Sequence, residues 1–141
     1  MRRILFTMGL VFAMAVLGGC AAPPPEYRIV DDIDLPFVDD PEVIGTWTAV
    51  DMVETVGQFV PGQKQWAGDL ILQQMTFSKG GILSVANWTW TKGVIINPND
   101  QTASQYQVQA IQGEVYLFFQ WKTGDYSIRG ETPWFYVMRK A

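Results

Sequence analysis

The chain contains no histidine and a single cysteine, Cys20. Ser-His and Cys-His nucleophilic sites and His-ligated zinc are thereby excluded, which leaves carboxylates, lysine, tyrosine and serine for any catalysis. The densest polar group is Lys122, Asp125, Tyr126 and Arg129. Its residue types suit an anionic ligand or a partner at one end of a fold. They equally suit a structural corner in which Asp125 caps backbone amides and pairs with Lys122 or Arg129. A carboxylate pair for glycosidic cleavage would have to come from acids such as Asp125 and Glu131, and both stand in turn contexts. We therefore expect a protein that is not an enzyme, and assign no catalytic residue, metal site or cofactor.

A second constellation is aromatic. Trp66, Trp88, Trp90, Tyr106, Phe119, Trp121 and Trp134 fall on or beside strand-like runs. There they either line a cavity for a small apolar ligand or fill the interior themselves. An eight-stranded barrel is only just wide enough for its own side chains, so both outcomes stay open.

These residues need a frame. Alternation predicts strands over 43–50, 69–77, 82–91, 94–96, 102–111, 115–121, 126–129 and 134–139, separated by Gly-, Asn- and Pro-containing turns. Over 102–111, Tyr106, Val108 and Ala110 should face inward and Gln105, Gln107 and Gln109 outward. After the first strand the period changes. Met52, Val53, Val56, Phe59 and Val60 recur at three and four, Asp51 and Glu54 have the form of a capping box, and Pro61-Gly62 stops the run. This predicts one short helix across a barrel mouth. The run 115–121 is apolar on both faces, so the face bearing Phe118 needs a cover from that helix, a docked tether or a partner. The expected fold is all-β, a small antiparallel up-and-down barrel of about eight strands with one short helix, closed by pairing its first strand with its last.

The first nineteen residues have the form of an export segment: Arg2-Arg3, an apolar run from Ile4, then Leu17-Gly18-Gly19-Cys20. Those last four resemble the bacterial lipobox, which implies a lipoprotein signal peptide over 1–19 and lipidation of Cys20. Ala21, where aspartate would signal retention, by the same resemblance favours the outer membrane, periplasmic side, in a cell with two membranes. Residues 20–42 read as a tether with Pro23, Pro24, Pro25, Pro36 and Pro41. Seven acids lie between Glu26 and Glu42 against Arg28 alone, whereas from Val43 onward seven acids balance seven bases. Extended at about 3.1 Å per residue, such a tether reaches roughly 60 Å from a lipid surface. Residues 27–30 and 35–38 are short segments able to dock on the domain as edge strands. The remainder, 43–141, is one barrel domain, with 48% apolar residues in the whole chain to build its core.

Gly45-Thr46-Trp47, Gly124-Asp125-Tyr126 and Arg139 resemble three marks of the lipocalin pattern: the Gly-x-Trp of the first strand, the Thr-Asp-Tyr corner, and an arginine of the last strand. The strings WTWTKG, DQTASQY, WKTGDYSIRG and PWFYVMRK are similar to a bacterial lipocalin-like, calycin-type module, also found appended to some β-lactam-sensing-type regulators. The resemblance implies that Trp47 and Arg139 meet as a cation–π pair closing the barrel base. It implies a fold but no activity. Two functions are carried forward: a lipid-anchored envelope lipoprotein binding a small hydrophobic or amphipathic ligand, and an envelope protein-interaction module with a filled barrel. The expected contacts are a membrane through the lipid anchor, a small apolar ligand or an envelope protein. Bases are too scattered for nucleic acid.

Overall fold

The structure is a computed structural model that describes residues 18–22 and 29–141. The apolar export run, Pro23-Pro24-Pro25 and the Tyr27-Arg28 half of the first docking run lie outside the described residues. Eight strands follow in order: β1 Gly45–Val53, β2 Gln74–Ser78, β3 Ile82–Leu83, β4 Thr89–Thr91, β5 Val94–Asn97, β6 Thr102–Ile111, β7 Glu114–Trp121 and β8 Trp134–Lys140, with one helix, α1 Gly124–Arg129, between the last two. Each strand pairs antiparallel with the next, and β1 pairs with β8 to close the barrel. The expected all-β closed barrel with one short helix is the observed fold.

Inward residues of alternating strands interlock. Trp47, Met75, Phe77, Trp90, Ile95, Leu117, Phe119, Tyr136 and Met138 are almost wholly buried in one cluster. Phe119 stacks on Tyr136 at 5.4 Å, while Phe77 meets both Trp90 and Tyr106 edge-on. A buried aromatic pair of this kind adds about 0.5–1.5 kcal/mol to the burial of its area. On β6, Tyr106 faces inward as expected, whereas Ala110 is exposed.

The helix is not where the period change placed it. Residues 52 and 53 continue β1, and only a three-residue 3-10 turn, Val56–Gln58, follows. The cause is a bulge. Ala49 pairs with Met138 and Asp51 with Val137, so Val50 is an extra residue that shifts the alternation. Trp47 and Met52 consequently both join the interior while Val53 joins a second cluster outside the wall with Tyr116, Phe118 and Val137. That outer face does receive a cover from the 54–60 segment, because Phe59 packs edge-on against Tyr116 at 4.9 Å and Phe118 at 5.6 Å.

The run 126–129, read as a strand, is instead the body of α1. Four residues are too few to separate a period of two from one of 3.6. The end signals decide. Asp125 lies in the first turn, Arg129 in the last, and Gly130 caps the helix in the left-handed region at φ 67°, its N–H donating to the Tyr126 carbonyl at 2.8 Å. The expected strand 82–91 is likewise divided into β3 and β4 by a turn through Asn87, at φ 62°.

Closure also departs from expectation. Trp47 is fully buried and its Nε1 donates to the Val43 carbonyl at 2.8 Å, but the cation over its ring is Lys140 Nζ, 5.3 Å from the centroid. Arg139 pairs in register with exposed Thr48 and points outward to Glu114, 3.6 Å away. Strand parity excludes Arg139 from the base, since the residue opposite Trp47 is Lys140.

Residues 29–42 form a strap laid on the barrel without joining a strand. Ile29 N donates to the Ser127 carbonyl at 2.8 Å, and Asp31 accepts from Ala103 N at 3.0 Å and Lys122 Nζ at 2.7 Å. Val38 N donates to Thr91 Oγ1, Lys92 N donates to the Val38 carbonyl, and Thr91 Oγ1 donates to the Pro36 carbonyl. Phe37 packs edge-on against Trp90 at 5.3 Å. It fits because position 81 is glycine at φ 85°, where a Cβ would come within 2.9 Å of the Phe37 ring.

Candidate functional site

The aromatic residues separate by depth. Trp90, Tyr106 and Phe119 belong to the buried interior, and Trp88 lies against it with its ring 6.1 Å from Trp121. Trp66, Trp121 and Trp134 remain half-buried at one end of the barrel. Trp121 ends β7, Trp134 begins β8, and the two are paired in register. The chain between them crosses the mouth as α1 and delivers Tyr126 to the same place. Together with Met52 and Glu131 they line a cavity of about 320 Å³. Trp66 and Trp134 meet edge-on at 5.2 Å, and Trp121 meets Tyr136 on its floor side at 4.9 Å.

Trp66 arrives on an irregular loop, and a buried carboxylate holds that loop. Asp51, only 1% exposed, accepts from its neighbour Met52 N at 2.8 Å, from Gln65 N at 2.9 Å and from Trp66 N at 2.9 Å. A carboxylate so deep is tolerated because backbone N–H groups replace its hydration. The capping box expected from Asp51 does not form. Glu54 is exposed, and the turn at 56–58 is closed instead by Thr55 N donating to Gln58 Oε1. Asp51 was legible as an acid inside an apolar run, and its role was not.

The polar corner is divided. Lys122 is turned under the strap, where it also donates to the Ala103 carbonyl at 2.8 Å and sits 4.7 Å from the Tyr126 ring centroid. Its partner is Asp31, so it is not free for an anionic ligand. Asp125 and Arg129 pair at 3.8 Å on the exposed side of α1, with Glu131 a further 3.9 Å from Arg129. Tyr126 alone faces the mouth. Among the described residues no group of three or more carboxylate or thiol side chains is disposed to hold a metal ion, and no helix is long and apolar enough to cross a membrane.

No family model, curated protein or solved structure matches this chain.

One interior group sets a pH dependence. Tyr106 Oη donates to Asp40 Oδ2 at 2.9 Å; burial, the largest cause, pushes its phenol well above the ordinary value of 10.0, a backbone hydrogen bond at Gly93 opposes this in part, and the Asp40 hydrogen bond and charge raise it further. The folded state thus keeps a proton that the unfolded chain releases above about pH 10, and stability must fall as pH rises beyond it. Tyr116, raised by burial and by Glu114, acts in the same sense. Urea midpoints measured from pH 8 to 11 should fall at the alkaline end, and Tyr106→Phe should show a shallower fall.

Proposed function

We propose that this chain is a lipid-anchored cell-envelope lipoprotein whose barrel binds a small hydrophobic or amphipathic molecule at its aromatic mouth. The observation that carries the reading is the division of the aromatics. A side-chain-filled interior accounts for Trp90, Tyr106 and Phe119, but it leaves Trp66, Trp121, Trp134 and Tyr126 half-buried around a cavity of about 320 Å³. Ligand sites are typically concave, aromatic-lined and supplied with few polar groups. Glu131 and Thr132 at the rim give this one a wet edge, which suits an amphipathic occupant. Residues 17–20 support the anchor by their resemblance to a lipobox. With the strap docked from Ile29, the chain back to Cys20 spans at most about 30 Å, half the reach of a wholly extended tether. A barrel so held would take its ligand close to the lipid surface. The lipocalin-like reading agrees with this use of a barrel end.

A protein-interaction module would have to present the Phe118 face, which Phe59 covers, or the loop 57–68, whose Trp66 turns into the mouth. The ligand reading is therefore preferred. Native mass spectrometry of the exported chain from Ala21 onward, purified gently from its own envelope, should show a reproducible added mass that is lost on denaturation. Trp134→Ala should lose that mass while keeping its fold. A bare polypeptide mass in both proteins would oppose the proposal.

A further inference from the structure

The walls of the mouth and its charges narrow the class of ligand. Three indoles and one phenol converge on a single cavity, and among the described residues the only charged side chain lining it is the carboxylate of Glu131. Among the described residues no lysine or arginine lines it. Lys122, the nearest base behind the wall, is neutralised by Asp31 at 2.7 Å and approaches Tyr126 from outside the cavity lining. Arg129 lies 3.9 Å from Glu131, but both side chains are more than half exposed, so water screens the contact and the pair is weak. The electrostatic character of the cavity is thus that of π-faces and one acid.

We propose that the aromatic mouth formed by Trp66, Trp121, Tyr126 and Trp134, with Glu131 at its rim, binds a quaternary ammonium group. This rests on the ligand reading above and deepens it. Indole and phenol rings carry negative faces, and a cation dressed in methyl groups is attracted by them while shedding little hydration. A merely greasy pocket would show no such sign preference. Trp66 and Trp134 both line the cavity with their ring planes nearly perpendicular, at 76°, so the two indoles form separate walls of the same space. The cavity of about 320 Å³ has room for a trimethylammonium group and a short chain. The same chemistry occurs in a free solute and in a lipid headgroup.

Both sources can be tested by Trp fluorescence on the purified full-length protein in an uncharged maltoside detergent. One probe pair is choline against its neutral carbon isostere 3,3-dimethylbutan-1-ol. The other is monomeric dihexanoyl phosphatidylcholine against dihexanoyl phosphatidylglycerol. The member of each pair that carries the quaternary ammonium should bind about 5- to 30-fold more tightly. A preference for choline over its isostere assigns a free solute, and a preference confined to the lipid pair assigns a headgroup. Either supports the proposal. Glu131→Gln, on an exposed side chain that leaves the fold intact, should weaken the preferred cation about threefold and leave 3,3-dimethylbutan-1-ol unchanged. An unchanged cation affinity in that variant would remove Glu131 from the site. Equal binding within both pairs would overturn the quaternary ammonium proposal while leaving an apolar ligand site. Failure of all four probes to bind would overturn both.

Discussion

Asp51→Ala should lower the unfolding free energy by about 2–4 kcal/mol and abolish the ligand binding proposed for the mouth. The carboxylate accepts from Gln65 N and Trp66 N, and in the alanine variant those donors face a void under their own loop. A hydrogen bond to a charged group contributes roughly 1.5–3 kcal/mol, and a donor left buried without a partner costs about 1–3. In a domain of this size that amounts to a thermal midpoint lower by on the order of 10 °C. Freed from Asp51, the loop would no longer hold Trp66 at 5.2 Å from Trp134. Asp51→Asn keeps one oxygen but turns an amide N–H₂ toward the same donors, so it should fall between wild type and alanine. Chemical denaturation and Trp fluorescence on the three proteins check both parts. A destabilised Asp51→Ala that still bound ligand with native affinity would show that the loop is not what places Trp66.

Lys122→Ala is expected to cost about 3–5 kcal/mol, because it leaves Asp31, only 17% exposed by side chain, without a counter-charge and with the Ala103 N–H as its remaining donor. Surface ion pairs elsewhere on the barrel, such as Arg139 with Glu114, should by contrast contribute within about 1 kcal/mol. A double variant, Lys122→Met with Asp31→Leu, should recover much of the loss, since no charge is then left stranded. The same contact makes the strap part of the folded unit. A chain beginning at Val43 lacks Asp31, Phe37, Val38 and Asp40, and so strips partners from Lys122, Trp90, Thr91 and Tyr106 together. It should be less stable than the Lys122→Ala protein, while a chain beginning at Ile29 should be close to the full one. Urea midpoints for the two truncations decide this. Equal midpoints would mean that the strap adds no stability.

The barrel was legible because its long strands carry clean period-two patterns, as over 102–111, and because Asn97-Pro98-Asn99-Asp100 and Lys79-Gly80-Gly81 mark turns by residue type. Legibility failed where an extra residue intervened. Val50 as a bulge makes Met52 and Val53 look like successive positions of a helix, although each faces a different side of a strand. It failed again in 126–129, where the helix is too short for periodicity and only its capping identifies it. Of the candidate ligand residues, Trp66, Trp121 and Trp134 line the cavity, while Trp90, Tyr106 and Phe119 fill the core.

Local residue order was sufficient to dictate an all-β chain that closes on itself, because alternation and turn chemistry act over a few neighbouring residues. It was also sufficient to rule out histidine and thiolate chemistry beyond Cys20, which is a matter of composition. Which lysine sits over Trp47, which acid meets Lys122, and which tryptophans are left unfilled at the mouth are different in kind. Each depends on pairing between residues remote in sequence, 91 positions apart in the case of Asp31 and Lys122, and on the shift that one bulge imposes on every contact beyond it. Those partners are set by register and closure, which only the assembled barrel defines.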